Sequence, residues 1–377
     1  MQNMGMDYRG RQARLIGEFE RLGIRGILIT HMPNVRYLCG FTGSSGVLAV
    51  AKGRSRSAKL AFFTDGRYTT QAREQVVGAR VVVPKTAALL AASEWMQELA
   101  FQGTVGFEGA HMTVVALASL RKAAKLKLKA TEMLVERLRM VKEAQEIRTI
   151  RSAVLLASRV FESVRENIQP GKSEQALAAE IEYLCRRLGA EGMSFDTLVS
   201  SGVRSALPHG VASAAAMPRK GFVIMDFGVI VNGYCSDMTR TVHLGAPDAA
   251  ARKMYGAVLE AQLAGIAAVR SGVETSEVDY AARNVLQKAG LGRYFTHSTG
   301  HGVGLEIHEP PGLRKASSRR VSKRQSPDRL QAGMVITIEP GAYVPGQGGV
   351  RIEDMVVVTE TGCEVLTPTR KDLIVLR

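Results

Sequence analysis

The sequence predicts an α/β domain followed by a larger α+β domain. The chain has 377 residues, a length that favours two domains at roughly 150 residues each. Short apolar runs alternate with helical segments as far as about residue 130, which is typical of an α/β domain. Farther along, two similar helices begin near Ser173 and Ser276, and strand-rich sequence follows each. This repetition indicates two related α+β halves within one C-terminal domain.

The first domain begins with a helix and continues with short strands. Apolar residues fall at helical spacing over 11–22, and Gly23 is expected to end that helix. Helices are also predicted near 86–100 and 112–125. The strand candidates are short and mostly apolar: 26–30, 46–50, 60–63, 81–83, 104–107 and 126–130.

A long helix is predicted from Glu132 to about Asn167, at the junction of the two domains. The boundary is expected within the first turns of this helix, because the alternating α/β pattern ends there. The predicted domains are therefore 1–135 and 136–377.

Composition excludes several classes of protein. The chain is 46% apolar and 23% charged, which is typical of globular proteins. No apolar run approaches the roughly 18 residues of a membrane span, so no membrane partner is expected. The N-terminal sequence lacks the apolar core of a secretion signal. The four cysteines include no CxxC pair, which favours reduced thiols and a cytoplasmic location.

The net charge of +15 is unusual and would suit a nucleic-acid binder. Most of the excess lies in two segments: 121–142 has eight Lys and Arg against two Glu, and 313–329 has seven against one Asp. Neither segment intersperses aromatic residues as single-strand binders do, so no nucleic-acid partner is expected. The second segment closely follows a candidate site residue, His308, and would either overhang a cleft or form a solvated loop.

Two aspartates lie on a predicted β-hairpin in the second domain. Asn232 and Gly233 separate two apolar runs and form the strongest short signal for a tight turn. With that turn, Asp226 lies opposite position 239 and is a diagonal neighbour of Asp237 on one face. Two carboxylates on a buried face need a cation or a proton between them. The pattern therefore favours a site over two solvated acids.

Histidines are concentrated in one later segment. Three of the seven in the chain fall within twelve positions, namely His297, His301 and His308. Glycines on both sides of His301 allow the backbone to approach a ligand closely. A glycine-rich phosphate loop is the competing interpretation, but the Lys-Ser/Thr ending of such loops is missing.

Two glutamates lie at the ends of apolar strands near the C-terminus. Glu339 ends one apolar run, and Glu353 precedes another. Arg351 shares a strand face with Glu353, so a buried ion pair is one interpretation. Four acids and an imidazole together favour a paired-metal site, for which Mn, Co, Fe and Zn are suitable ions.

These motifs resemble those of the pita-bread metallopeptidase family, which includes aminopeptidase P, prolidase and methionine aminopeptidase. The segments MDFG, SDMTRT, GHGVG, IEPG and RIED match the ligand motifs of that family in order. The resemblance implies a pita-bread (creatinase/aminopeptidase-like) catalytic domain over the C-terminal region. It also implies two divalent metal ions, most often Mn²⁺, with Co²⁺, Zn²⁺ or Fe²⁺ as alternatives. The implied ligands are Asp226, Asp237, His301, Glu339 and Glu353.

The N-terminal region is similar to the creatinase-type domain that accompanies aminopeptidase P and prolidase but not methionine aminopeptidase. The similarity lies in 34–43 and 62–68. It implies an Xaa-Pro aminopeptidase, a hydrolase that cleaves the bond between an N-terminal residue and proline in peptides. A prolidase restricted to Xaa-Pro dipeptides is the alternative, and a catalytically silent peptide- or partner-binding module is the alternative of another class. The family also implies a proline-containing peptide as substrate and a homodimer.

The resemblance further implies roles for residues around the metal ligands. Glu339 would move protons as a general acid and base. His308 and His209 would stabilise the oxyanion or the proline carbonyl. Arg351 would orient Glu353 and Asp237. Three residues would line the substrate pocket: His297, Arg351 and Tyr343.

Overall fold

The chain forms two compact units, Met1–Arg139 and Met140–Arg377. The computed structural model describes four stretches of the sequence: 5–52, 58–99, 103–316 and 329–377. Most of the basic segment 313–329 therefore lies outside the described residues, and its predicted role is not addressed below. Among the described residues, no helix combines the length and the apolar character that a membrane span requires.

The N-terminal unit is an α/β domain, as predicted. Its described helices are α1 Tyr8–Gly17, α2 Phe19–Leu22, α3 Met32–Cys39, α4 Thr69–Gln75, α5 Ala88–Glu98, α6 Val114–Ala123 and α7 Leu134–Met140. Its described strands are β1 Gly26–Ile29, β2 Val47–Lys52, β3 Ala58–Phe63, β4 Arg80–Val82, β5 Thr104–Glu108 and β6 Lys127–Thr131. They form one mixed sheet in the order β4-β3-β2-β1-β5-β6, in which β1 is antiparallel to β2 and parallel to β5.

The C-terminal unit combines long helices with antiparallel strands. Its described helices are α8 Ala144–Val164, α9 Glu174–Arg187, α10 Ala249–Ala268 and α11 Thr275–Lys288. Its described strands are β7 Gly192–Met193, β8 Leu198–Ser201, β9 Gly221–Phe227, β10 Val229–Val231, β11 Tyr234–Cys235, β12 Met238–Leu244, β13 Gly300–Gly302, β14 Glu309–Leu313, β15 Val335–Ile338, β16 Gly341–Val344, β17 Gly348–Arg351, β18 Asp354–Val358, β19 Cys363–Val365 and β20 Ile374–Leu376.

Two sheets of this unit position the chemistry. In the part of the chain described, the first sheet has the order β20-β12-β9-β8 and the second has the order β14-β13-β15-β18-β19. Phe161 of α8 and Leu177 of α9 pack in one core cluster with Met225 of the first sheet. Val278 of α11 packs in another with Ile336 of the second sheet. The two similar predicted helices are α9 and α11, each 14 residues long, so each half places such a helix against its own sheet.

The prediction of a single long helix over 132–167 is wrong. Helices α7 and α8 are separate because Val141 forms a β-bridge with Met334, nearly two hundred positions along the chain. Glu143 then starts α8 with a capping box that it shares with Glu146. Helical periodicity continues through the break, so the sequence pattern alone does not reveal it.

Candidate active site

The first sheet positions two of the candidate aspartates. In the pairing of β9 with β12, Asp226 lies opposite Thr239, which is the predicted register. The turn residues Asn232 and Gly233 have φ values of 46° and 75°, as a two-residue hairpin turn of this kind requires. Asp237 directly precedes β12. As the hairpin predicts, both carboxylates line the same cavity.

The second sheet supplies the other three candidates. His301 lies on β13, Glu339 directly follows β15, and Glu353 directly precedes β18. These strands are neighbours in the order β13-β15-β18, so their ends bring the three side chains together. All five predicted ligands line one cavity of about 530 Å³.

The imidazole of His301 is oriented as a ligand. Its Nδ1 lies 3.0 Å from the carbonyl oxygen of Gly302 and therefore donates to it. The lone pair of Nε2 then faces the acids, at 3.5 Å from Asp237 Oδ2 and 3.6 Å from Glu339 Oε1. Burial lowers the pKa of His301 to about 4, so the ring is neutral at pH 7. A neutral imidazole fixed through its other nitrogen is the form that binds a metal.

The carboxylates around this ring are crowded and buried. Burial, and next the neighbouring acids, raise the pKa of Asp237 and of Glu353 well above the ordinary value. Burial also raises the pKa of Glu339. Oδ1 of Asp226 is buried and has no hydrogen-bond partner among the described residues. Such an oxygen is satisfied by a cation or by a proton.

The donor set fits a divalent metal ion. Ligand atoms of Asp237, His301 and Glu353 all lie within 4.8 Å of one another, which is close enough to hold one ion. Carboxylate oxygens suit Mn²⁺, and carboxylates together with an imidazole also bind Zn²⁺.

Arg351 has a different partner from the one expected. The sequence predicts that it orients Glu353 and Asp237, but its Nη2 donates to Asp226 Oδ2 at 2.5 Å. Its Nε donates to Thr239 Oγ1 at 3.0 Å, and the Thr239 hydroxyl donates to Glu353 Oε2 at 2.7 Å. Thr239 was not among the predicted site residues, although its place opposite Asp226 in the predicted hairpin offers a signal.

The remaining predicted residues surround the same cavity, which His209, His297 and His308 line directly. Nδ1 of His297 donates to the carbonyl oxygen of Ser298, so its Nε2 accepts from the Tyr343 hydroxyl at 2.9 Å. Burial, and next the charge of Arg351, lower the pKa of His297 to about 4. The His308 ring lies 4.4 Å from the His301 ring, and burial lowers its pKa too. Lining residues that the sequence did not indicate are Phe195, Asp196, Leu198, Pro208, Ser298 and Ile307.

Comparison with known proteins decides the family. The model of metallopeptidase family M24 matches residues 148–360 of this chain, and that of the creatinase/prolidase N-terminal domain matches residues 11–141. This chain belongs to metallopeptidase family M24. The resemblance inferred from the five motifs is thereby confirmed, as are the predicted α/β domain and pita-bread catalytic domain.

Relatives of this M24 metallopeptidase extend over nearly its full length. It is 36% identical over 371 residues to the Xaa-Pro dipeptidase of Pyrococcus horikoshii, covering 98% of this chain and 100% of the relative. The structure of an Xaa-Pro dipeptidase from Bacillus anthracis superposes with a TM-score of 0.92 at 40% identity, covering 98% and 100% of the two chains. The structure of an X-Pro aminopeptidase from Thermotoga maritima gives a TM-score of 0.85 at 33% identity, covering 95% and 99%.

Proposed function

We propose that this M24 metallopeptidase hydrolyses the peptide bond between an N-terminal residue and proline. The observation that carries the proposal is the cavity in which all five predicted ligands meet His209, His297 and His308. The names of the relatives support proline as the residue after the cleaved bond. Two of them are named Xaa-Pro dipeptidases and a third is named an X-Pro aminopeptidase.

The proposed ligand set holds two divalent ions, with Mn²⁺ as the preferred metal. Asp226 would bind one ion, His301 and Glu339 the other, and Asp237 and Glu353 both. When bound, such ions lower the pKa of a coordinated water and polarise a carbonyl oxygen. Asp226 also accepts from Arg351, which keeps one carboxylate oxygen in place and leaves the other for metal binding.

Other residues of the chain would handle protons and substrate. Glu339 has a raised pKa because it is buried, so it can accept a proton from water and give it to the leaving nitrogen. His308 and His209 would donate hydrogen bonds to the substrate carbonyl. His297 and Tyr343 are hydrogen-bonded to each other and would form one wall of the substrate pocket with Arg351.

Similarity to the relatives favours dipeptides as the substrates of this chain. The dipeptidase from Bacillus anthracis is more similar to this chain than the Thermotoga maritima aminopeptidase is, at 40% against 33% identity. Cleavage of longer peptides is the second candidate, supported by the TM-score of 0.85 to that aminopeptidase. A homodimer and a cytoplasmic location stay predictions.

The test compares Ala-Pro with Ala-Pro-Ala in the presence of added Mn²⁺ or Co²⁺. We expect release of alanine that depends on the metal. Release from Ala-Pro alone indicates a prolidase, and release from both peptides indicates an aminopeptidase; the ratio of kcat/KM for Ala-Pro to that for Ala-Pro-Ala measures the difference. Asp237→Ala should lower kcat/KM roughly 1000-fold, because a metal ligand supports several kcal/mol of transition-state stabilisation.

The matched control is Asp196→Ala, which removes a cavity-lining carboxylate that is outside the ligand set. This variant should bind Mn²⁺ as tightly as the parent in calorimetry, whereas Asp237→Ala should not. No turnover of any proline peptide with any metal would contradict the proposal and favour a silent binding module.

A further inference from the structure

One buried carboxylate holds both ends of the segment that carries His209. Oε1 of Glu174 accepts from the backbone N–H of Ser201 at 2.8 Å and from its hydroxyl at 2.9 Å. Oε2 accepts from the backbone N–H of Ser213 at 3.2 Å and from its hydroxyl at 2.7 Å. Glu174 is fully buried, so these bonds close the segment 201–213 into a loop around a water-free anchor.

Arg204 completes the anchor from inside the loop. Its Nε donates to Glu174 Oε2 at 3.1 Å, and its Nη2 donates to the carbonyl oxygen of Val211 at 3.0 Å. The arginine compensates the buried negative charge, which would otherwise be strongly destabilising. Its bond to Val211 also links the first part of the loop to the last part.

Helix α9 does not account for the placement of this carboxylate. Glu174 is the first residue of α9, where an acid commonly stabilises the helix N-terminus. The cap, however, is Ser173, whose hydroxyl accepts from the backbone N–H of Ala176 at 3.1 Å. The hydrogen bonds of the Glu174 carboxylate go to the loop.

The opposite side of the loop is held by the proposed active site. Nη1 of Arg351 donates to the carbonyl oxygen of Pro208 at 2.9 Å, directly before His209. The backbone N–H of Gly349 donates to the hydroxyl of Ser205 at 2.8 Å. The loop therefore lies between the Glu174 anchor and strand β17.

His209 depends on this backbone for its position. Its ring lines the cavity, yet it forms no hydrogen bond with any residue that the structure describes. The ring lines the cavity together with the rings of His297 and His308. Since no hydrogen bond among the described residues fixes the ring, the position of the imidazole depends on the loop to which it is attached.

We propose that Glu174 is a positioning residue for His209, acting through the loop 201–213. The proposal rests on the proposed function for the role of His209, and it assigns to a buried acid outside the cavity a part in catalysis. Glu174 orients the imidazole and does not touch the substrate.

A double-mutant cycle with Ala-Pro as substrate tests the coupling. Glu174→Gln should lower kcat roughly 10- to 100-fold through displacement of the imidazole, with little change in KM. In a His209→Ala background the same substitution should lower kcat by less than about twofold, because nothing is left to misplace. Equal losses in the two backgrounds would overturn the proposal.

The matched control is Glu146→Gln, which alters another buried acid near a helix start. Glu146 accepts from the Tyr234 hydroxyl at 2.8 Å and from the backbone N–H of Glu143 at 2.9 Å, and both donors lie outside the loop 201–213. Its substitution should have the same effect with and without His209. Ser213→Ala removes one of the two bonds at the far end of the loop, that of the hydroxyl, and keeps the backbone bond. It should show the Glu174→Gln pattern at smaller size, which covers the event that Glu174→Gln does not fold.

A second readout needs no turnover, so it separates this proposal from the proposed function. The imidazole C2–H signal of His209, assigned by its loss in His209→Ala, is followed by NMR in the full-length protein with added Zn²⁺. Glu174→Gln or Ser213→Ala should shift that signal and leave the buried His243 signal in place. An unmoved His209 signal would overturn the positioning role, whether or not the protein cleaves Ala-Pro.

Discussion

Glu353 and Asp354 are neighbours in sequence, yet they lie in two very different ionic clusters. Asp354 is paired with Arg240 at 2.7 Å, and its other oxygen accepts from Gln262 at 2.8 Å and Lys371 at 2.7 Å. Glu353 belongs to the cavity, where the four acids of the proposed ligand set face one guanidinium among the described lining residues, that of Arg351.

The difference lies in how completely each cluster is satisfied. All three nitrogens of the Arg240 guanidinium donate hydrogen bonds, including two to the backbone carbonyls of Glu353 and Thr369 at 2.6 Å. In the cavity, by contrast, Asp226 Oδ1 lacks any partner among the described residues. A closed cluster stabilises the fold, whereas one with excess negative charge requires a ligand.

The largest expected effect is the loss of catalysis when Glu353, the acid of this pair that lines the cavity, is neutralised. Glu353→Gln should reduce kcat/KM for Ala-Pro roughly 1000-fold, since it removes a proposed ligand of both metal ions. Steady-state kinetics at saturating Mn²⁺ measures the loss. Retention of more than a tenth of the activity would place Glu353 outside the metal centre.

The next effect is on stability when the neighbouring acid is neutralised. Asp354→Asn leaves the charge of Arg240 buried without compensation, so the free energy of unfolding should fall by about 3 kcal/mol. Urea unfolding measures this change, and Glu353→Gln is the control, expected to leave the metal-free stability unchanged or higher. Equal destabilisation by both substitutions would remove the distinction between the clusters.

Added metal should distinguish the two variants again. Mn²⁺ at 100 times its Kd should stabilise the parent by about 2.7 kcal/mol if it binds only the folded state. Asp354→Asn should keep that gain because its side chain is outside the cavity, and Glu353→Gln should lose most of it. Differential scanning calorimetry with and without Mn²⁺ is the measurement, and a gain independent of Glu353 would contradict the proposed ligand set.

The smallest effect concerns the pH dependence of the metal-free protein. The raised pKa values of Asp237 and Glu353 mean that the folded chain keeps protons that the unfolded chain releases. Stability should therefore fall as pH rises from the ordinary carboxyl pKa toward the folded one, by at most about 1.4 kcal/mol per pH unit for each group. Above pH 6.5, the ordinary histidine pKa, the neutral buried rings of His297 and His301 no longer oppose this trend. The Tm in chelator should therefore drop from pH 7 to pH 8, less steeply in Glu353→Gln. A Tm that rises with pH would contradict it.

Local patterns predicted the hairpin and brought its two acids together. The Asn232–Gly233 turn sets the register, so the position of Asp226 opposite Thr239 follows from counting residues. Histidine density and glutamates at strand ends indicated the other three ligands. Only the motif resemblance joined them to the hairpin in one ordered set, because they come from separate strands whose order no local pattern reveals.

Contacts between distant segments could not be predicted in this way. The partner of Arg351 depends on how β17 lies against β9, and alternation along one strand says only which residues share a face. Glu174 reaches serines 27 and 39 positions away, and from the sequence it resembles an ordinary helix-starting acid.

The origin of the ligands from two sheets has a consequence for biogenesis. The hairpin of the first sheet offers two carboxylates and the second sheet offers the imidazole and two more, so neither sheet alone carries the set. The full ligand set therefore forms only after β15 and β18, whose ends carry Glu339 and Glu353, have emerged and paired. Metal retention then reports a finished catalytic unit, since truncated chains that end before position 353 lack Glu353.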